Sequence, residues 1–310
     1  MSKIRIGILS GICVVVVLVV LMALVFPKKH ITWGVDFSQA QAEFLKIDWQ
    51  EAYLAMLHDL RAKHVKLMTN WDFIEGTKSK FDFADVDWQL SEAQKSGADV
   101  IYVVGMKTGR WPECHLPSWA ANLSKTDQQA DLLTYVRQTI ERYRNDPTII
   151  AWQVENEPLF NFGICPWYDA EFLEKEVKLV KSIDSSRPVI ISDSGEQSWW
   201  FQAAKMGDVV GITTYRKVWV HLSDSYGFFF TMPLPPQSYG LKAWLIKAFF
   251  GKKVINVELQ AEPWVSDIYT KVSLQEQEKT MSLDLFKENV QYARKTGLDT
   301  FYFWGGEWWY

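Results

Sequence analysis

Histidine and cysteine are scarce in this 310-residue chain, and neither is arranged as a ligand set. The five histidines stand at 30, 58, 64, 115 and 221, with no paired spacing at the end of an apolar run. A histidine-built metal site is therefore not expected, and no metal or cofactor is assigned. Glycine is thin where a nucleotide would need it. No Gly-rich loop follows the first apolar run, which argues against a doubly wound dinucleotide-binding sheet. The two glycines of FWGGEWW (303–309) are flanked by aromatics rather than set as a phosphate cradle. Basic residues are in deficit. Four of the 33 Lys and Arg, and none of the 37 Asp and Glu, fall within residues 1–30. The remainder carries a formal charge of about −8, which argues against a nucleic-acid partner. Low-complexity linkers and short internal repeats are also missing.

What is present begins with an uncharged run, IGILSGICVVVVLVVLMALVF, residues 6–26. About 20 apolar residues span a bilayer, whereas a signal-peptide core runs to roughly 7–15. No small-x-small pair closes the run, because Met22, Leu24, Val25 and Phe26 crowd the place of cleavage. Residues 1–30 are expected to be an uncleaved membrane anchor crossing the lipid bilayer through residues 6–26. Basic residues flank both ends, Lys3 and Arg5 against Lys28 and Lys29, so orientation falls to the short N-terminus. That places the body, residues 31–310, outside the cytoplasm, on the periplasmic or extracellular side. Cys13 lies in the run. Cys114 and Cys165 remain as an even pair in an exported body, either free or joined in one disulfide.

Along the body, short apolar runs alternate with amphipathic stretches. Strands are expected at 31–37, 65–70, 99–105, 149–156, 189–193, 209–215, 254–259 and 300–305. They are apolar nearly throughout, as parallel strands buried on both faces are. Helical spacing recurs at 48–63, 82–97, 126–145, 169–184, 239–251 and 274–297, and FFFTMPLPP (228–236) reads as a loop. Eight β–α alternations predict a closed (β/α)8 TIM barrel, its eighth helix missing or only begun before Tyr310. Cys114 and Cys165 would then sit on the loops after adjacent strands three and four, which favours the disulfide. A Cα separation beyond about 7 Å would count against it.

Aromatics are abundant, with 16 Trp, 12 Tyr and 18 Phe, and one use of such a surplus is to grip the flat faces of sugars. Catalytic groups of such barrels sit at the C-terminal strand ends. There, strand four ends in Glu155, Asn156 and Glu157, and strand seven in Glu258, with Glu262 following. Two carboxylates on opposite sides of a barrel mouth are the equipment for glycosidic cleavage, one as proton donor and one as nucleophile. WQVENEP (152–158) resembles the Asn-Glu-Pro signature that closes strand four in clan A of the glycoside hydrolases, the retaining barrels of the cellulase- and β-galactosidase-like families. VINVELQAEPW (254–264) is similar to that clan's strand-seven nucleophile segment.

The resemblance covers residues 31–310. It implies Glu157, rather than Glu155, as acid/base and Glu258, rather than Glu262, as nucleophile. It further implies Asn156 as donor to the sugar 2-hydroxyl, Tyr215 as partner of the nucleophile and Trp304 as floor of the first subsite. Cellulase-like members carry Arg at the end of strand two, where LMTNWDF (67–73) offers Asn70 and Trp71, so the strict cellulase family is not assigned. Trp71, Trp111 and His115, after strands two and three, are taken as substrate-binding. Asp72, Glu75 and Glu307 are further side chains able to hydrogen-bond a sugar. The expected function is a membrane-anchored retaining β-glycosidase acting on an oligo- or polysaccharide without a cofactor. The alternative is an inactive glycan-binding protein on the same barrel.

Overall fold

The computed structural model describes residues 30–223 and 226–310. All eight expected runs form strands: β1 (Thr32–Ser38), β2 (His64–Met68), β3 (Asp99–Val104), β4 (Ile149–Val154), β5 (Val189–Asp193), β6 (Val209–Thr214), β7 (Lys253–Gln260) and β8 (Thr300–Trp304). They pair in parallel and close in the order β1-β8-β7-β6-β5-β4-β3-β2, a TIM barrel. The apolar run 6–26 lies outside the described residues. Among those described, no helix is long and apolar enough to cross a membrane.

The period-2 alternation of the strands sorts side chains into two cores. Outward-facing residues such as Val65, Tyr102 and Trp152 join the surrounding helices in one large cluster. Inward-facing Ile101, Ala151, Ile190, Ile255, Val257 and Tyr302 fill the barrel. Two residues further along β3 and β8, Val103 and Trp304 meet Met68 under Tyr215 and form the floor of the barrel mouth. The helices start where side chains can satisfy their free amides. Asp48 caps Trp49–His58, Ser124 caps Lys125–Tyr143 and Asp169 caps Ala170–Ile183.

Two segments differ from expectation, while the eighth helix is only begun, as expected. The stretch read as a loop at 228–236 begins inside an antiparallel hairpin, Lys217–Ser223 against Tyr226–Thr231, where alternating residues pair Trp219 with Phe229. The helix expected over 274–297 is broken into Leu274–Gln277 and Leu283–Arg294. Thr280 turns its hydroxyl to the backbone of Trp264, and Ser282 caps a new helix through the amide of Leu285. After β8 comes a single helical turn, Gly306–Trp309, whose Trp309 packs on Phe286 and Phe303.

Cys114 and Cys165 form a disulfide with Cα atoms 5.2 Å apart, joining the loops after β3 and β4. The bond closes a loop over a sequence separation of 51 residues. In the chain-entropy account, a Cys114→Ala, Cys165→Ala double variant should lose up to about 4 kcal/mol of unfolding free energy. The measurement is the urea midpoint, and an unmoved midpoint would show that the cross-link adds no stability.

Candidate active site

β4 presents Gln153 inward and Trp152 and Val154 outward, so strict alternation would send Glu155 and Glu157 the same way. The backbone breaks that parity. Glu155 and Glu157 both take left-handed conformations, with φ of 59° and 42°, a strain that clusters at functional sites. Glu155 turns to the neighbouring loop and accepts hydrogen bonds from the amides of Met106, at 2.8 Å, and Lys107. Gly105 makes this possible, since a Cβ there would lie 2.5 Å from the Glu155 carboxyl carbon. Glu176, buried on the helix Ala170–Ile183, hydrogen-bonds Glu155; burial first, then the Glu155 charge, raises it well above the usual carboxylate range. Glu155 is thus a tether for the β3 loop.

Glu157 enters the barrel mouth. Its amide donates to Ser192 Oγ at 2.8 Å, and Thr213 Oγ1 donates to its Oε1 at 3.0 Å. Burial, and next the charge of Glu258, push its carboxyl well above the ordinary range, with Lys107 and the Thr213 hydroxyl acting against them. Such surroundings favour the protonated form.

Glu258 arrives through an irregularity in β7. Ile212 pairs with Asn256 and Thr213 with Glu258, so Val257 is passed over in a bulge. The bulge lets Val257 fill the barrel while Glu258 also faces the mouth. Lys66 of β2 donates to the Val257 carbonyl at 3.2 Å and to Glu258 Oε1 at 2.8 Å. Tyr215, just past β6, donates to Glu258 Oε2 at 2.7 Å. Lys66 is fully buried, and it also lies 3.6 Å from Asp36 Oδ2. Burial alone would depress its pKa, but Asp36 and Glu258 together raise it, so the ammonium stays charged. Sequence reasoning sought a cation at the end of strand two and missed this one, which sits in mid-strand. An isolated lysine in an otherwise apolar barrel strand was the available signal.

The remaining expected residues divide. Asn156 Oδ1 accepts from Gln153 at 3.1 Å, while its Nδ2 lies beside Gly109. The same glycine meets the Trp304 ring edge, so Asn156 and Trp304 come together at the mouth. Arg110 lies over the Trp304 ring at 4.1 Å and is gripped by Glu262 and Glu307. Glu262 and Glu307 are therefore committed to holding Arg110. His115 is buried with both ring nitrogens occupied, by Asn70 at 3.3 Å and the Gly109 carbonyl at 3.0 Å, and it braces the β3 loop. Trp111 is 67% exposed on the rim.

Trp71 needs correction as a sugar-binding residue. It opens the short helix after β2 and turns away from the mouth into the outer core. There it stacks on Tyr135, meets Trp119 edge-on and bonds Glu75 at 2.8 Å. Glu75 is used up in that contact and in receiving the Ser79 amide. Trp264 was missed. It meets Tyr215 at 5.1 Å and continues through Phe162 to Trp111, an aromatic row from the carboxylates to the rim. Glu113 was also missed; burial raises it to about 7, and the charge of Glu258 adds to the shift. Among the described residues no group of three or more His, Cys, Asp or Glu is placed to hold a metal ion.

A model of the glycosyl hydrolases family 2 TIM barrel domain matches residues 89–224. A probable mannan endo-1,4-β-mannosidase A of Aspergillus niger is 37% identical over 71 residues, 22% of this chain and 17% of that protein. A mannan endo-1,4-β-mannosidase A of Emericella nidulans is 29% identical over 112 residues, 36% of this chain and 27% of that protein. The chain thus matches less than a third of the length of these relatives. Among solved structures, GH5_18 from Streptomyces cattleya in complex with GlcNAc aligns with a TM-score of 0.61 at 14% identity, covering 90% of this chain and 71% of that one. Native xylanase 10B from Thermotoga maritima gives 0.60 at 14% identity, covering 89% and 83%. At these identities the structural likeness is one of fold.

The Glu155–Glu176 contact has a pH signature. Glu176 binds its proton more tightly in the folded protein, so folding loses free energy as pH rises from the ordinary Glu range, about 4.5, to the raised value. A Glu176→Gln variant does not titrate. Its stability advantage over wild type should grow between pH 4 and pH 8, read as urea midpoints. A constant difference across that range would contradict the shared proton.

Proposed function

We propose that this chain, one of the clan A (β/α)8 glycoside hydrolases, cleaves a β-linked saccharide by double displacement, with Glu258 as nucleophile and Glu157 as acid/base. One observation carries the reading. Two buried carboxyl groups, one just past β4 and one on β7, lie close enough for the charge of Glu258 to raise Glu157, yet their hydrogen-bond partners are opposite in kind. Glu258 accepts from an ammonium on one oxygen and from a phenol on the other. Glu157 has a single hydroxyl on its carboxyl and a raised pKa, which favours the protonated form. Environments that separate two carboxyl groups in this way assign acid and nucleophile.

In the first step a Glu258 oxygen bonds to the anomeric carbon while the bond to the leaving oxygen breaks, and that oxygen takes the Glu157 proton. In the second, Glu157 removes a proton from water, which attacks the same carbon and frees Glu258. Asn156, its Oδ1 held by Gln153, keeps its Nδ2 for a sugar hydroxyl. Trp304 floors the sugar. The row from Trp264 to Trp111 offers stacking to further units, each such contact being apolar and tolerant of sequence along a glycan. A β-mannoside is the first substrate to try, given the names of the curated relatives. The bilayer-spanning reading of residues 6–26, with the body outside the cytoplasm, accords with the disulfide, which persists in oxidising compartments.

The test is a panel of aryl β-glycosides and β-mannan oligosaccharides on residues 30–310, with product anomers followed by NMR. Glu157→Ala should lose about 10²–10⁴-fold on substrates with poor leaving groups and far less on activated aryl glycosides. Azide should rescue it with retained configuration, and should rescue Glu258→Ala with inverted configuration. On activated substrates Glu157→Ala should also lose the alkaline limb of glycosylation, because that limb is deprotonation of the raised Glu157. An inverted product from wild type would sink the double displacement, and no turnover with clear glycan binding would favour a binding protein.

A further inference from the structure

Lys66 is enclosed by the barrel, with no side-chain exposure, and so cannot exchange a lost partner for water. Its Nζ has two carboxylates within reach, Glu258 Oε1 at 2.8 Å and Asp36 Oδ2 at 3.6 Å. Asp36 is its ladder neighbour, directly across β1 and β2, and is equally buried. Neither Asp36 oxygen has a hydrogen-bond partner within 3.5 Å, and its contact with Lys66 is a loose ion pair at 3.6 Å. A buried carboxyl group with both oxygens unbonded is expensive unless it is held for another state of the site.

We propose that Asp36 is the second counter-ion of Lys66: the ammonium is held by Glu258 while the nucleophile is free, and by Asp36 while the nucleophile is bound to sugar. This rests on the double-displacement reading above. When Glu258 bonds the anomeric carbon, its negative charge leaves with the departing oxygen, which Glu157 protonates. Glu258 is then a neutral ester. Lys66 would be left as a buried cation with no anion against it, unless Asp36 is ionised. In the free enzyme, burial, the charge of Glu258 and that of Glu307 favour a protonated Asp36, while Lys66 and Arg110 oppose it. Esterification removes the Glu258 charge from that balance. Asp36 releases its proton, which leaves by way of the barrel mouth to solvent, and takes the ammonium. Hydrolysis restores Glu258, Asp36 regains a proton, and the cycle closes with no net change.

Asp36 is therefore a positioning residue that acts through Lys66, and Asp36→Asn isolates its charge. Asparagine matches the protonated side chain in size and cannot ionise. The experiment uses the 2-deoxy-2-fluoro-β-glycosyl fluoride of the sugar that wild type hydrolyses, which accumulates the glycosyl-enzyme. The rate constants of labelling and of reactivation are followed by intact mass. Asp36→Asn should label at least about tenfold more slowly and reactivate faster than wild type, because only the covalent state loses a buried counter-ion. Binding of a non-covalent competitive inhibitor should be unchanged. Misfolded protein would lower the labelled fraction and leave the rate constants alone. Equal labelling and reactivation rates in variant and wild type would overturn the role of Asp36. A wild type that hydrolyses the sugar with retention but gains no label at Glu258 would overturn it as well. Inversion in the product analysis removes the covalent reading and this proposal together.

Discussion

The Lys66 ammonium sits inside the barrel without solvent, bonded to Glu258 and to the carbonyl of Val257. Much of the mouth depends on it. A bulge in β7 breaks the ladder at Val257, and an unpaired carbonyl in a dry barrel would cost free energy on the order of a lost hydrogen bond. Lys66 answers that carbonyl and the carboxylate beside it with one group. Without the bulge, Val257 and Glu258 would point to opposite faces of the sheet. Without the lysine, the Val257 carbonyl and one Glu258 oxygen would each lose a donor in a buried place. The same cation lies 5.3 Å from the Trp304 ring, so charge, bulge and sugar floor are joined at one point.

The two glutamates of β4 show a second constraint, a backbone that must turn twice within three residues. Glu155 and Glu157 each hold a positive φ, and the carboxyl group of each is held by groups from other strands and loops. Glu155 ties down the loop that carries Lys107, Gly109 and Arg110. That loop in turn places Gly109 against Trp304 and Asn156. Lys107 returns the favour by donating to the carbonyls of Glu157 at 3.0 Å and Phe160 at 3.0 Å. The disulfide fastens the same two loops further out. The position of Glu157 is therefore set by adjacent loops that brace each other.

The strands were legible because burial on both faces writes itself as apolar runs, and those runs do not depend on what surrounds them. Glu157, Glu258 and Tyr215 stood out because a polar residue at the end of such a run has few reasons to be there, and the resemblance to clan A supplied their expected roles. Trp71 was misplaced for a related reason. Its chain position lies at the mouth, but a short helix starts at that residue and rotates the side chain outward, and sequence does not show the rotation. Trp264 and Glu113 lie on irregular loops, where neither periodicity applies, and their place follows from packing across the chain. The hairpin after β6 was hidden by prolines that follow it at 233, 235 and 236, which drew the whole segment toward a loop reading. Lys66 was in plain view and was passed over because the cation was sought at the strand end.

A protein that only binds a glycan would have little use for this arrangement. Neutral hydroxyls are recognised by exposed amides, hydroxyls and rings, at low electrostatic cost. Here at least three ionisable groups, Asp36, Lys66 and Glu258, lie buried together, and Glu157 is held beside them in a strained conformation. Replacing a buried charged cluster by apolar residues of similar volume is often neutral or stabilising. A fold under no demand but binding could therefore shed the cluster and gain stability. Functional sites are where such local costs persist, because the charges are needed in more than one protonation or bonding state. Asp36 sharpens the point. It is buried with neither oxygen hydrogen-bonded, a cost for which the proposed change of charge on Glu258 supplies a use.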